Sequence, residues 1–182
     1  MRRILCAALL LLTVLPAWAA EWRIEHGASR LGFVATQQGG RFEGHFRQWQ
    51  ATMRFDPQRL DESLFDVRID VASITTGSND RDPYLPSKDW FFTKQFPTAT
   101  FRTTGFSAKG GDDYVAQGVV TIRGVSQTID LPFTWVVDGD QAKMHAETVL
   151  DRTVFGVGQG EFAATDVVGR DVRVVVDLTL RR

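Results

Sequence analysis

The chain has 182 residues, of which 43% are hydrophobic and 24% are charged, so it is long enough for one ordinary domain with its own core. Its 21 basic and 22 acidic side chains nearly cancel, and a chain without a basic excess does not fit a nucleic-acid-binding protein. The single cysteine, Cys6, leaves no intramolecular disulfide and no thiolate metal site.

Residues 1–19 are predicted to be a secretory signal peptide, followed by one domain over residues 20–182. The basic pair Arg2-Arg3 precedes an apolar run, and Ala17-Trp18-Ala19 places small residues at the cleavage positions. The apolar run is shorter than the ~20 residues that span a bilayer. Removal of the signal peptide lowers the basic count from 21 to 19 against 22 acidic residues. The sequence therefore predicts an exported, periplasmic protein.

After the signal peptide, apolar and polar residues alternate in short runs, which is typical of half-buried strands. The alternation begins at Trp22 and changes phase near Gln48-Trp49, which predicts a bulge or a sharp bend. Later strands are separated by turn signals at residues 110–113, 123–124 and 138–140. These short connections favour antiparallel pairing.

About eight or nine strands result, and both a sandwich and a barrel are compatible with them. The bent strands and the 13 phenylalanines favour a barrel with a wide interior. A barrel of about eight strands leaves room for one small ligand. The prediction is an all-β fold, an antiparallel barrel of about eight strands that carries one insertion.

The insertion, residues 78–96, combines charges and prolines with Trp90, Phe91, Phe92 and Phe96. Prolines rule out one continuous helix, and the aromatic side chains are too apolar to remain in water. We therefore expect a short helical and aromatic segment that folds back onto the sheet.

Arg81 and Asp82 lie just before these aromatic residues and have two interpretations. They are either a local ion pair or cap that fixes the insertion, or polar groups that meet the head of a ligand. Both roles are compatible with each other. A charged rim over an aromatic interior is typical of the mouth of a ligand site.

No catalytic residue, metal ligand or cofactor motif is predicted. His26, His45 and His145 are scattered and lack the spacing of metal ligands on one strand. There is no nucleophile motif of the hydrolase type. Gly156, Gly158 and their neighbours are followed by a strand signal rather than a helix, so they favour a bend and not a nucleotide loop. The protein is therefore not expected to be an enzyme.

Several motifs in the mature chain resemble the YceI-like family of exported bacterial polyisoprenoid-binding proteins, in the same order along one domain. They are Gly44-His45-Phe46, residues 70–76 (DVASITT), Arg81-Asp82 with Leu85, residues 87–91, residues 96–101 (FPTATF), residues 121–125 (TIRGV), Asp151-Arg152 and residues 155–158 (FGVG). The resemblance implies a lipocalin-like barrel whose interior holds a long isoprenoid chain, without catalysis. The chain differs from the family at Thr36-Gln37-Gln38 and at Tyr84, where relatives often carry histidine.

From the alternation and the resemblance together, a set of inward-facing residues is expected to contact the lipid: Phe33, Phe42, Phe46, Phe55, Ile69, Trp90, Phe91, Phe101, Leu131 and Phe133. The polar rim is expected to consist of Arg81, Asp82 and Tyr84. The expected partner is an isoprenoid lipid or quinone rather than a metal or nucleic acid. A transient contact with a membrane or membrane protein and a homodimer are compatible with this function.

The alternative is a barrel packed solid with side chains. Such a protein would bind no lipid and would act through its surface as an accessory or interaction protein of a membrane redox or stress system.

Overall fold

The computed structural model describes residues 21–182, which form an all-β structure. The predicted signal peptide, residues 1–19, lies outside the described residues. The strands are β1 Glu21–Ile24, β2 Arg30–Gln37, β3 Gly40–Phe46, β4 Trp49–Arg54, β5 Leu64–Asp70, β6 Ile74–Thr75, β7 Thr98–Gly110, β8 Asp113–Ile122, β9 Val125–Asp138, β10 Gln141–Asp151 and β11 Asp171–Arg181. Short 3-10 helices cover His26–Ala28, Leu60–Glu62, Val71–Ser73, Asp82–Tyr84, Arg152–Phe155 and Gly160–Phe162. None of the helices between residues 21 and 182 is long and apolar enough to cross a membrane.

The strands pair antiparallel and form a closed barrel of eight strands. The ladder runs in the order β1, β4, β5, β7, β8, β9, β10, β11 and closes where β11 pairs with β1. Strands β2, β3 and β6 extend this wall. β2 pairs with β11, β3 pairs with β2, and β6 pairs with β3. Each of them continues one of the eight barrel strands beyond a break. The barrel confirms the predicted fold class and rules out the sandwich.

The predicted hairpin turns lie where the sequence places them. β7 and β8 are joined at Gly111-Asp112, β8 and β9 at Arg123-Gly124, and β9 and β10 at Gly139-Asp140. Arg123 and Gly124 have φ angles of 51° and 75°. A two-residue turn with positive φ at both positions matches the right-handed twist of the strands on either side.

The phase shift near Gln48-Trp49 is confirmed as a break in the barrel wall. β3 ends at Phe46 and β4 begins at Trp49, so one long strand is divided in two. The wall contains two similar breaks, since a 3-10 helix separates β1 from β2 and another separates β5 from β6. These breaks let the strands bend sharply enough to close a narrow barrel.

One end of the barrel is closed by a packed aromatic cluster. Phe55 contacts Phe65, Phe133 and Trp135 at ring-centroid distances of 5.8, 5.3 and 4.9 Å. The ring of Trp22 meets that of Trp135 edge-on at 5.4 Å. These side chains pack the interior at the end where β1 begins.

The other end is covered by the insertion and by a second segment, the cover loop, residues 152–170 between β10 and β11. The insertion contains one 3-10 turn, Asp82–Tyr84, and otherwise consists of turns. It folds back as expected, because Trp90 and Phe91 pack against a buried cluster that includes Phe155 of the cover loop. The interior between these loops and the packed end is the candidate site.

Candidate functional site

An apolar cavity of about 430 Å³ lies inside the barrel. This volume falls within the range of ~300–1,000 Å³ that is typical of small-molecule sites. Most of the residues predicted to contact a lipid line the cavity: Phe33, Phe42, Phe46, Ile69, Trp90, Phe91, Phe101 and Leu131, together with Arg81 and Tyr84 of the predicted rim. The cavity thus brings together residues from β2, β3, β5, β7, β9 and the insertion.

Three of the predicted residues do not line this cavity. Phe55 and Phe133 are 1% and 3% exposed within the packed cluster at the closed end of the barrel. They face the interior as the alternation predicts, but they lie deeper than the cavity reaches. The third is Asp82, whose carboxylate instead contacts Thr75 of β6 and Thr76, the residue after β6.

Small residues in the wall create the space for the cavity. Ala99 on β7 is 6% exposed and lines the cavity beside Phe101. Gly44 and Gly118 lie directly under the rings of Phe33 and Phe101, where an added Cβ atom would clash with the ring. A larger residue at either glycine would therefore displace the aromatic ring that now borders the cavity.

Asp82 fixes the insertion to the barrel wall. Its carboxylate oxygens accept hydrogen bonds from Thr75 Oγ1 at 2.7 Å, from Thr76 Oγ1 at 2.6 Å and from the Thr76 amide at 2.8 Å. Burial opposes the charge, but the hydrogen bonds from Thr76 and Thr75 outweigh it and hold the pKa of Asp82 below its ordinary value. These contacts fix the insertion as the structural interpretation requires, but they come from threonine hydroxyls and a backbone amide and not from an ion pair with Arg81.

Arg81 has a different arrangement from its neighbour. Its guanidinium lies over the ring of Phe42, 4.4 Å from the ring centroid, and its Nε donates to Thr76 Oγ1 at 3.2 Å. The residues between 21 and 182 supply no acceptor to its two terminal nitrogens. Arg81 therefore presents hydrogen-bond donors at the edge of an apolar cavity. Tyr84, Asp80 and Glu161 are exposed and border the same opening.

Arg152 organises the cover loop from within. This residue is 4% exposed and extends its guanidinium into the loop that follows it. The guanidinium donates to the carbonyl oxygens of Gly169, Val157, Gly158, Phe162, Val168 and Ala164, at 2.9, 2.7, 3.1, 2.8, 2.7 and 3.4 Å. Burial lowers the pKa of Arg152. Arg152 also borders the cavity, but its donors are used by the backbone, so its hydrogen bonds hold the loop together.

Arg123, in the turn after β8, joins the two covering segments. Its guanidinium donates to the carbonyl oxygens of Trp90 in the insertion and Gly156 in the cover loop, and burial lowers its pKa. The backbone amide of Gln159 in the cover loop also donates to the backbone carbonyl of Asp89 in the insertion at 2.6 Å. The insertion and the cover loop therefore form one cover over the cavity.

Trp90 is the aromatic residue at the centre of this cover. Its ring lies 5.1 Å from that of Phe162 and 6.0 Å from the Arg152 guanidinium. Its indole Nε1 is buried and has no hydrogen-bond partner among residues 21–182. An unpaired buried donor in the wall of a cavity can be satisfied by an acceptor oxygen on a ligand.

The structural roles of Arg152 and Arg123 were not predicted from the sequence. One signal was present, because a glycine-rich loop after Asp151-Arg152 has many backbone carbonyls and few side chains to satisfy them.

The histidines remain apart in the structure. His145 bonds Asp177 at 2.7 Å on the exposed surface, and residues 21–182 contain no group of three or more side chains suited to a metal ion.

The fold and the site define a class of protein: a small closed antiparallel β-barrel that encloses an apolar cavity and covers it with two loops. The YceI-like domain matches residues 22–180. The chain therefore belongs to the YceI-like family.

Comparison with individual relatives agrees with this assignment. The chain is similar to a UPF0312 protein of Photorhabdus laumondii, with 34% identity over 130 residues that cover 70% of this chain and 67% of the relative. Its structure is similar to that of BcnA of Burkholderia cenocepacia, with a TM-score of 0.82 and 29% identity, covering 86% of this chain and 98% of BcnA. It also shares the fold of a polyisoprenoid binding domain of Saccharophagus degradans, with a TM-score of 0.68 and 15% identity over 91% of this chain and 99% of that domain.

Proposed function

We propose that the protein is a carrier that binds one polyisoprenoid-type lipid, a quinone or a polyprenyl compound, inside the barrel. The observation that supports this function most strongly is the apolar cavity of about 430 Å³ between the packed end and the two covering loops. A barrel filled with side chains, as the alternative function requires, would lack this space. The polyisoprenoid binding domain of Saccharophagus degradans shares the fold.

The energetics of an apolar cavity fit a lipid tail. Each buried CH₂ group contributes about 0.8 kcal/mol, whereas association costs ~4–15 kcal/mol. A few isoprene units therefore offset the cost of binding without a strong polar contact. The tail supplies most of the affinity, and contacts with the head group adjust it.

In this proposal, Arg81 and Trp90 recognise the head group. The terminal nitrogens of Arg81 and the indole Nε1 of Trp90 lack acceptors among residues 21–182, and both residues line the cavity. Donors of this kind suit an acceptor oxygen such as a quinone carbonyl, an alcohol or a phosphate. Asp82 acts indirectly, because it holds Arg81 and the insertion in place through Thr76.

Export to the periplasm is part of the proposal. It is supported by the basic start, the apolar run and the small residues before Ala20 in the sequence. We expect N-terminal sequencing of the mature protein to begin at or next to Ala20 and fractionation to recover it with periplasmic contents. Recovery of the uncleaved chain in washed membranes would contradict export.

A binding titration tests the carrier function. Delipidated protein is titrated with a quinone that carries a farnesyl chain, and tryptophan fluorescence is followed because Trp49 and Trp90 line the cavity. We expect saturable quenching that farnesol competes away. The same quinone without a tail is the control and should bind far more weakly. Equal quenching by the tailless quinone, or no saturation, would contradict the proposal.

A further inference from the structure

The barrel wall has a seam where two neighbouring strands are not hydrogen-bonded. β1 pairs with β4 only at Glu21↔Arg54 and Trp22↔Met53. On the other side of the breaks, β2 pairs with β3 from Gly32↔His45 onward. Residues 23–31 on one side and residues 46–52 on the other therefore face each other without ladder pairing. We call these two stretches the seam.

The first edge of the seam is held by β11. The Glu25 amide donates to the Thr179 carbonyl at 2.9 Å, and the Thr179 amide donates to Ser29 Oγ at 3.0 Å. Ser29 Oγ in turn donates to the Thr179 carbonyl at 3.3 Å. These hydrogen bonds lie on the side of the edge away from the seam.

The second edge is held by the next strand, again on the side away from the seam. The Arg47 amide donates to the Ser73 carbonyl at 3.2 Å, and the Gln48 amide donates to Ser73 Oγ at 3.0 Å. The Asp70 amide donates to the Gln48 carbonyl at 3.0 Å. Both edges are anchored independently, so they can separate without breaking a ladder hydrogen bond between them.

One ring contact bridges the seam. The rings of His26 and Trp49 lie 4.6 Å apart, and next to His26 the small residues Gly27, Ala28 and Ser29 contribute little bulk. Trp49 is half-buried and also lines the interior cavity. At this place a side chain, rather than hydrogen-bonded backbone, separates the cavity from solvent. Rotation of a side chain is a far smaller event than opening a β-ladder.

We propose that the seam is a side opening through which the distal end of an apolar chain longer than the cavity leaves the barrel, with Trp49 as the side chain that moves aside. This inference depends on the proposed lipid-carrier function. The packed cluster around Phe55 and Trp135 blocks the far end of the cavity, so a long chain must turn back or pass through the wall. The seam is where the wall yields without loss of ladder hydrogen bonds between its two edges.

Photolabelling of the unmodified protein tests this route. Two quinones are used, one with a farnesyl chain and one with a decaprenyl chain, each with a diazirine at the distal end. We expect the farnesyl probe to label interior residues such as Met53 or Leu131. The decaprenyl probe should label peptides that contain residues 23–31 and 46–52.

The outcomes separate the route from the carrier function. Two results would overturn the side opening but leave the carrier function intact. One is that the decaprenyl probe labels the interior or the two covering loops. The other is that only the farnesyl probe binds. Failure of both probes to bind would overturn both proposals.

Release kinetics provide a second, independent measurement. The Trp49→Ala variant should release both quinones faster than the wild type, because Trp49 also lines the cavity, but the acceleration should be several-fold larger for the decaprenyl quinone. Trp49→Phe is the matched control, because it keeps an aromatic ring against His26, and it should show a smaller difference between the two chain lengths than Trp49→Ala does. Equal acceleration for both chain lengths would mean that Trp49 only shapes the cavity, and this would contradict its role at a side opening.

Discussion

Ala99 is the residue whose size most directly limits the cavity on β7. It is buried, lines the cavity and pairs with Ile69 of β5, which lines it as well. We predict that Ala99→Trp fills this space and lowers lipid binding several-fold while the protein stays folded. In a solid core the same change would be overpacking, which costs ~1–3 kcal/mol. Binding by fluorescence titration and stability by urea unfolding are measured on the same variant.

Thr98→Trp is the matched control for this prediction. Thr98 precedes Ala99 on the same strand but is exposed and lies outside the cavity. The same bulk should therefore leave lipid binding unchanged. If Ala99→Trp unfolds the protein, or if both variants bind as the wild type does, the cavity is not the binding site.

Asp82 gives a prediction about acid stability. Because its pKa is lower in the folded protein, its contribution to stability is fully present above its ordinary pKa of 3.8 and is lost as pH falls through the lower folded value. Asp82→Asn cannot titrate. We expect this variant to be less stable than the wild type at neutral pH and to lose less stability below about pH 4.

Urea unfolding at a series of pH values measures this effect. Asp56 and Asp151 also have lowered pKa values. The difference in free energy of unfolding between the wild type and Asp82→Asn therefore isolates the contribution of Asp82. Asp80→Asn, which neutralises a neighbouring exposed carboxylate, is the control. A constant difference between wild type and Asp82→Asn from neutral to acid pH would contradict the prediction.

Residue-level prediction from sequence was good for the direction of side chains and poor for their depth. Alternation correctly identified Phe33, Phe101 and Phe133 as inward-facing. It could not separate Phe101, which borders the cavity, from Phe133, which is packed against Phe55. The period of a strand fixes the face of a residue, whereas its depth depends on how the strands tilt and which side chains meet across the barrel.

Among the larger elements, the cover loop depends on one residue. Arg152→Met would leave six loop carbonyls without their donor. Each buried unsatisfied group costs ~1–3 kcal/mol, less where water can enter. We expect the free energy of unfolding to fall by about 3 kcal/mol, with faster proteolytic cleavage in residues 156–170.

Two further variants serve as comparisons for Arg152→Met. Arg152→Lys keeps the charge but cannot reach as many carbonyls, so it should recover only part of the loss. Arg173→Met changes an exposed arginine on β11 and should stay within about 0.5 kcal/mol of the wild type. Equal stability of Arg152→Met and Arg173→Met would show that the carbonyl contacts do not stabilise the cover loop.

The elements that the sequence predicted best were those with local signals. The hairpin turns follow from glycine and aspartate pairs, and the break near Trp49 follows from a change in alternation. The cover loop was not predicted, because Arg152 is an ordinary charged residue until the chain folds around it. Its six acceptors are backbone atoms, which carry no signature in the sequence.

For the whole molecule, the two ends of the barrel have different roles. The end with Trp22, Phe55 and Trp135 is a solid core that stabilises the fold. The opposite end is hollow and is covered by the insertion and the cover loop, which Arg123 joins. The sequence predicted a barrel, but it left open whether the interior was filled. The answer depends on non-local features, above all the glycines and Ala99 that leave space beneath the aromatic rings.

The most direct test of the carrier function is the content of the cavity after purification. The wild-type protein is exported in a bacterial host rich in quinones and polyprenols, purified without detergent, and its organic extract is analysed by mass spectrometry. The cavity predicts an isoprenoid lipid in stoichiometric amount with folded protein. Folded protein whose extract contains no isoprenoid would contradict the carrier function, and the function would then have to be sought on the outer surface of the barrel.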